Sequence, residues 1–262
     1  MNLAIYIKNK ALQADPRVLS FKKSLRDAGF RLSCVTCDDA IPDGTDMVLS
    51  LGGDGTFLSA ARLVGASGIP VAGINFGRLG FLSENTPEEM LQALLAGTYR
   101  IKERTLLDVD GQYALNEVAI HRQGGAMLGV EVRIDGRPLP VYWADGLLVA
   151  TSAGSTAYSL SVGGPICMPG SRVLIITPIA PHNLNVRPLI VPDSATIDIS
   201  VRSRDPEVTV SLDNQSSAVD ASVTLRVRTA PFTLRRVCLE GRNFIQALTS
   251  KLFWGEDVRN GD

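Results

Sequence analysis

The amino-acid sequence predicts a parallel α/β domain at the N-terminus, an antiparallel β domain after it, and a final helix that returns to the first domain. Three observations carry this expectation. Strand-like and helix-like segments alternate through the first hundred residues. Near Tyr99–Glu103 the apolar residues switch to a period of two, and helical spacing reappears close to the C-terminus.

Leu3–Ile7 reads as a strand. Asp15 and Pro16 open a helix as N-cap and first-turn proline, Val18, Phe21, Leu25 and Ala28 form its apolar stripe, and Gly29 closes it. Strands follow at Leu32–Val35, Met47–Leu51 and Pro70–Ile74, around a helix over Gly55–Val64. Thr86 and Glu89 make a capping box, and Gly97 ends that helix. Such alternation implies a Rossmann-like parallel sheet covered by helices. Beyond it, Val130, Val132 and Ile134 alternate with polar residues, as do Ile197, Ile199 and Val201, then Val208, Val210 and Leu212, then Val223, Leu225 and Val227. Half-exposed antiparallel strands read this way, and Asp135-Gly136 is a hairpin turn between two of them. Phe244, Ile245, Leu248 and Leu252 return to helical spacing. That helix needs a covered stripe, and the β domain offers mostly edges and turns. The domains are therefore set at 1–103, 104–238 and 239–262.

With 262 residues, 45% of them hydrophobic and 20% charged, the chain can build one large or two ordinary domains with ample core. A net charge of −1 gives no global basic field to recruit nucleic acid, so any anion site must be local. The start, MNLAIYIKNK, has too short an apolar run for a signal peptide, and no stretch approaches the ~20 residues that span a bilayer. A cytoplasmic protein with no membrane partner is expected. Cys34, Cys37, Cys167 and Cys238 are scattered. Cys34 and Cys37 fall in a strand-like stretch where their thiols would point to opposite faces, and are expected to be small buried hydrophobes. His121 and His182 are too few for most metal cages.

The chemistry centres on Leu49–Thr56, a buried strand running into Gly52-Gly53-Asp54-Gly55-Thr56 and then a helix. Glycines there allow positive φ and close approach of a bulky ligand, and a helix start offers N–H groups to phosphate. Asp54 is the odd member, because a carboxylate repels phosphate. Its presence fits action on a hydroxyl or a metal; the alternative is a plain helix cap. Four more segments stand out. Ile74–Leu82 (INFGRLGFL) can approach a ligand and supply one charge from Arg78. Asn116-Glu117 interrupts an apolar strand and suits a base edge and a ribose hydroxyl, or else faces water. Ala144–Pro165 runs from a strand into small residues and hydroxyls, with Ser155 or Thr156 as cap for a short helix carrying Tyr158 and Ser161. This leaves room for a flat ring. Gly-x-Ser-Thr also resembles a serine nucleophile turn, but no His and acid are arranged to activate it. Ile176–Pro192 reads as a proline-punctuated loop carrying His182, Asn183 and Arg187.

Together these segments resemble the NAD kinase family. GGDGT, the Asn-Glu pair, D-G-L-x-x-x-T…G-S-T-A-Y-S-L-S-x-G-G-P and I-x-P-H-x-L…R-P appear in order over residues 49 to 192. The resemblance implies transfer of a phosphoryl group from ATP or polyphosphate to the 2′-hydroxyl of the adenosine ribose of NAD, giving NADP. Asp54 would be the base, and Gly52, Gly53, Gly55, Thr56 and Arg78 would meet phosphate. Asn116 and Glu117 would hold adenine and ribose, with Gly55 also on the substrate side. Thr156, Ala157, Tyr158, Ser159, Leu160 and Ser161 would line the adenine pocket. Asp145 would accept from the nicotinamide carboxamide, and Ala180 and Gln215 would flank the dinucleotide. Magnesium is implied as the donor's partner, hydrated and bridging rather than caged. Subunits of the family associate as dimers or tetramers.

Two departures stand out. Ser152 and Ala153 replace the Pro and second Thr of T-P-T-G-S-T-A-Y. Trp143 stands where some members carry an arginine two residues before Asp145, which leaves an ionic contact there unexpected. Trp143 reads either as an interface anchor or as a core tryptophan. GGDGT alone is shared with diacylglycerol, sphingosine and phosphofructokinase-type enzymes. A lipid kinase would need an exposed apolar mouth and gives no reason for GSTAYSLS. A non-catalytic dinucleotide sensor would not need Asp54.

Overall fold

The structure, a computed structural model, describes residues 1–37, 39–77, 80–241 and 243–255. In chain order the first elements are β1 (Asn2–Tyr6), α1 (Lys10–Gln13), α2 (Pro16–Asp27), β2 (Arg31–Val35), β3 (Met47–Leu51), α3 (Asp54–Val64), β4 (Val71–Ile74) and α4 (Pro87–Ala96). Strands then dominate: β5 (Tyr99–Val109), β6 (Gln112–Ala114), β7 (Glu117–Arg122), β8 (Leu128–Ile134), β9 (Arg137–Pro138), β10 (Tyr142–Ala144) and β11 (Gly146–Thr151). After the short α5 (Tyr158–Ser161) come β12 (Val173–Ile179), β13 (Leu189–Pro192), β14 (Ile197–Arg202), β15 (Glu207–Leu212), β16 (Gln215–Asp220) and β17 (Thr224–Leu239), with α6 (Phe244–Leu252) last.

The chain divides into two compact units. The first comprises residues 1–60, 69–102 and 236–262, so the C-terminal helix is counted with the N-terminal residues. Its strands pair in parallel in the order β2-β1-β3-β4, and Arg236 at the end of β17 pairs in parallel with Val71. β3 is buried at every position, as a strand covered on both faces must be. Asp15 caps α2 through the Arg17 N–H at 2.8 Å, and Val18, Phe21 and Leu25 bury its stripe against Leu3, Ile5 and Leu49. The capping box of α4 is complete, with Glu89 N–H on Thr86 Oγ1 at 3.2 Å and Thr86 N–H on Glu89 Oε2 at 2.9 Å.

The second unit comprises residues 61–68 and 103–235. One antiparallel sheet runs β13-β12-β11-β7-β15-β16; a second contains β10-β8-β14-β17 in antiparallel register. Val118, Ile120, Leu147, Val149, Ile176 and Val210 from the first meet Val130, Val132, Ile197, Ile199 and Val227 from the second in one core. Because side chains alternate, Glu117, Ala119 and His121 of β7 point to the opposite face. Ala119, Leu148, Ala150 and Ile175 cluster there beneath Tyr158 and Val162. Asp135 and Gly136 take φ of 49° and 78° between β8 and β9, the double positive φ of a type I′ hairpin.

Several expectations are corrected. Cys34 and Cys37 are exposed rather than buried, because β2 is the edge strand of its sheet and Cys37 lies in the turn beyond it. Ile176–Pro192 is not one loop: its ends belong to β12 and β13, leaving only residues 180–188 as a connection. Neither Ser155 nor Thr156 caps α5, whose first residue follows Ala157 with no side-chain cap. Ser155 instead donates to Ser152 O at 2.8 Å and accepts from Cys167 N–H at 3.0 Å, pinning the turn.

The capping box gives a test of local design. Thr86→Ala leaves the Glu89 amide without its partner and is expected to lower unfolding free energy by about 1 kcal/mol. Urea denaturation at constant m-value reads this, and an unchanged midpoint would show that the cap does not stabilise the unit.

Candidate active site

In the first unit, the GGDGT turn joins β3 to α3, and Asp54 is the first residue of the helix. Of its glycines only Gly52 needs positive φ, at 146°. The Thr56 N–H donates to Gly53 O at 2.9 Å, so Thr56 can offer a ligand its hydroxyl but not its amide. Asp54 is not an ordinary cap. Its Oδ1 accepts the N–H groups of Leu82 and Ser83 at 3.0 and 2.8 Å, and its Oδ2 accepts that of Phe81 at 2.9 Å. A carboxylate has about four acceptor positions. Three are filled by this loop, which among the described residues leaves one on Oδ2. Gly80 is needed for the approach, because a Cβ there would overlap the Asp54 carboxylate. The INFGRLGFL segment therefore belongs with GGDGT through its Phe81 and Leu82 amides, with that of Ser83 just beyond it. Arg78, expected to meet phosphate, lies outside the described residues.

In the second unit, Asn116 and Glu117 are each 7% exposed, which removes the water-facing alternative. They sit at the start of β7, with the turn of Ala153–Ser161 packed so closely that a Cβ on Gly154 would overlap Asn116 O. The Tyr158 N–H faces the Glu117 carboxyl and opposes part of the rise that burial gives its pKa. Asn116 Oδ1, Glu117 Oε2, Ser159 Oγ and Thr177 Oγ1 are buried with no partner among the described residues. An unpaired buried polar atom costs about 1–3 kcal/mol, so four of them mark a place where a ligand can supply bonds. His121 stacks on Tyr158 with ring centroids 5.6 Å apart, and burial pushes its pKa down, keeping the ring neutral. Thr156, Ala157 and Leu160 are half-buried around this turn, whereas Ser161 is exposed at its far end.

The remaining expected residues mark the two ends of the six-stranded sheet. Gln215 is exposed and pairs with Leu212, which in turn pairs with Val118 at the Glu117 end. Asp145 and Ala180 lie at the other end, joined by Asp145 N–H on Ile179 O at 3.0 Å. Glu117 pairs with Ala150 and His121 with Gly146, so the two ends are four residues apart, roughly 14 Å at ~3.4 Å per residue. Asp145 takes its ionic partner not from position 143 but from β7. Arg122 on the neighbouring strand grips it with a fork, Nε to Oδ1 at 2.7 Å and Nη2 to Oδ2 at 3.3 Å. Trp143 is 40% exposed and therefore not a core residue. Its backbone holds the following loop, accepting His182 N–H at 2.7 Å and donating to Asn183 Oδ1 at 2.9 Å.

Sequence reasoning missed Asp213. Its carboxylate accepts the amides of Leu115, Asn116 and Glu117 at 2.9, 2.7 and 3.2 Å, fixing the Asn-Glu pair from the β15–β16 turn. The signal available was its place beside Gln215, in a turn where it takes φ of 50°. Burial raises the pKa of both Glu117 and Asp213, and the Asp213 charge adds to the rise at Glu117, which reaches about 8. Three amides and the nearby Arg62 act the other way at Asp213. Asp213 is the member that ionises first, and Glu117 keeps its proton at neutral pH.

This arrangement has a pH signature. Glu117 holds its proton to about 8 when folded, against 4.5 ordinarily, so between these values the folded chain binds more protons than the unfolded one. Stability must then fall as pH rises through that window and level off above it. Thermal melting from pH 5 to pH 9 should show that slope flattened in Glu117→Gln, with the variant gaining most over wild type near pH 8. Parallel curves for the two proteins would refute a protonated Glu117.

Residues 7–99 match the ATP-NAD kinase N-terminal domain and residues 115–238 the ATP-NAD kinase C-terminal domain. An NAD kinase of Cytophaga hutchinsonii is 46% identical across 82% of this chain and 78% of its own length. An NAD kinase of Flavobacterium psychrophilum is 40% identical across 98% of this chain and 87% of its own. The crystal structure of an NAD kinase from Archaeoglobus fulgidus in complex with ATP is similar with a TM-score of 0.82 at 26% identity, covering 97% of this chain and 99% of that one. Yeast NADH kinase complexed with NADH has the same fold, with a TM-score of 0.87 at 24% identity over 100% of this chain and 90% of that one. The lipid-kinase and sensor alternatives are not favoured by these likenesses. With the expected motifs in order and relatives matching over most of both lengths, the chain belongs to the NAD kinase family.

Proposed function

We propose that this enzyme transfers the terminal phosphoryl group of ATP, or of another nucleoside triphosphate or polyphosphate, to the 2′-hydroxyl of the adenosine ribose of NAD. The bond from the ribose oxygen to phosphorus forms as the donor's terminal P–O bond breaks, and the hydroxyl proton passes to Asp54. The observation that carries the reading is the Asp54 carboxylate, held by three amides with one acceptor position left on Oδ2. A base that needs only to receive a proton late in a loose transfer is served by orientation more than by a raised pKa.

Backbone at Gly53 and Gly55, the Thr56 hydroxyl and Arg78 are proposed to meet phosphate, whereas Gly52, whose N–H donates to Ile74 O at 2.8 Å, serves the turn through its positive φ. Asn116 Oδ1, Glu117 and Ser159 Oγ would bond the adenosine, and a protonated Glu117 offers it a donor that a carboxylate lacks. Thr156, Ala157, Tyr158, Leu160 and Ser161 would flank the base. Asp145 and Ala180 would take the nicotinamide end and Gln215 the flank near Glu117. The separation of these two groups along one sheet suits an extended dinucleotide. A divalent cation, magnesium by expectation, would neutralise the donor's phosphates. Among the described residues no three His, Cys, Asp or Glu side chains gather as a cage, so phosphates and water would supply most of its ligands. All four cysteines are free, which supports a reducing, cytoplasmic setting.

Two measurements test this reading. Incubation with NAD, magnesium and each donor in turn, followed by an NADP-specific assay, should show turnover that Asp54→Asn lowers about 10²–10⁴-fold. Wild-type-like NADP formation by Asp54→Asn would remove the base assignment. We also propose that the enzyme is a dimer or tetramer that uses Trp143 as an anchor, because its large aromatic ring is left exposed two residues before Asp145. Trp143→Ala is then expected to reduce both the mass seen by light scattering and the NAD affinity seen by calorimetry. A folded variant unchanged in both would leave Trp143 without an assembly role.

A further inference from the structure

Asp54 is not held by a loop alone. The loop itself is clamped from behind by two cations. Lys251 Nζ of α6 donates to Gly80 O, and Arg236 Nη2 at the end of β17 donates to Phe81 O and Leu82 O at 2.9 and 3.1 Å. The same peptide groups face Asp54 on their other side. The Gly80 carbonyl and Phe81 N–H form one peptide, Phe81 and Leu82 the next, and Leu82 and Ser83 the third. Each of three consecutive peptides therefore links a cation to the Asp54 carboxylate. The order is cation, carbonyl, amide, carboxylate every time, with the peptide dipole aligned to both charges. Bonds chained in this way polarise and strengthen one another in a low-dielectric setting.

Both cations are well covered, Lys251 with 14% and Arg236 with 8% of the side chain exposed, and Glu84 stands between them. Arg236 meets Glu84 Oε1 at 2.9 Å and Lys251 lies 4.0 Å from Oε2. Lys251 Nζ also sits 5.0 Å from the centroid of the Phe81 ring. Arg236 has further roles in the core of its unit, stacking near Phe57 and lying beside β4. Lys251 reaches the loop from α6 and is the member to substitute.

We propose that Lys251 is a positioning residue for phosphoryl transfer, fixing the Asp54 carboxylate through the Gly80–Phe81 peptide. The C-terminal helix thus takes part in the chemistry without touching substrate. This rests on the reading of Asp54 as the base. A displacement of about 1 Å at a reacting group costs on the order of 100-fold in rate, while substrate binding by other residues is untouched.

The test compares Lys251→Met, Lys251→Arg and Asp54→Asn with the wild-type chain. In Lys251→Met, kcat is expected to fall about 10- to 100-fold with KM for NAD within about twofold. Hydrogen exchange of the peptide covering Gly80–Glu84 should quicken while β1 and β3 stay protected. Lys251→Arg, which can still reach the carbonyl, should recover most of kcat. Full activity of Lys251→Met beside a dead Asp54→Asn overturns the positioning role and leaves the base assignment standing. An active Asp54→Asn overturns the base assignment beneath it. If Lys251→Met quickens exchange across the whole unit and Lys251→Arg fails to recover kcat, Lys251 is structural and the proposal falls.

Discussion

A carboxylate that gathers three consecutive backbone amides is the interaction on which both halves of this molecule's chemistry depend. It occurs twice, at Asp54 over Phe81–Ser83 and at Asp213 over Leu115–Glu117. Loops carry amides with no ladder partner, and a buried carboxylate carries a charge with no water; each removes the other's cost. Because three successive N–H groups must converge on one small group, the backbone has little freedom left. A flexible connection becomes a fixed surface, and the residues it presents are placed without secondary structure of their own.

The two carboxylates are used differently. Asp54 keeps one acceptor position open among the described residues and belongs to the turn between β3 and α3. Asp213 is half-buried, and its carboxylate holds Asn116 and Glu117 at the start of β7. Its charge, with burial, also leaves Glu117 protonated at neutral pH. His121 is neutral for the same reason of burial, and it stacks on Tyr158. The face of the six-stranded sheet beneath the Ala153–Ser161 turn therefore sets uncharged polar groups around an apolar cluster.

Asp145 shows how neighbouring strands replace a contact that local sequence does not provide. Trp143 cannot pair with it, but Arg122 lies across the ladder between β7 and β11 and grips it with both nitrogens. The main chain of Trp143 ties down the loop after Ala180.

Much was legible in the sequence because it depends on near neighbours. Apolar periods of about 3.6 and 2 separated α2 and α4 from β8, β14 and β15, and the caps at Asp15 and Thr86 need only residues two or three positions away. Asp135-Gly136 announced its turn for the same reason, and the Asp54 turn could be read from strand, glycines and helix. What the sequence did not disclose involves partners far apart in the chain. Asp213 is about a hundred residues from the amides it holds, and Lys251 is 171 residues from Gly80. The exposure of Cys34 followed from its strand being an edge, which only the strand order decides. Local sequence determined the elements, their ends and the chemical character of the motifs, because those follow from backbone conformation and short-range hydrogen bonds. Tertiary structure alone decided which charges hold which loops, because buried charges and unpaired amides find partners through space, at whatever distance along the chain the fold brings together.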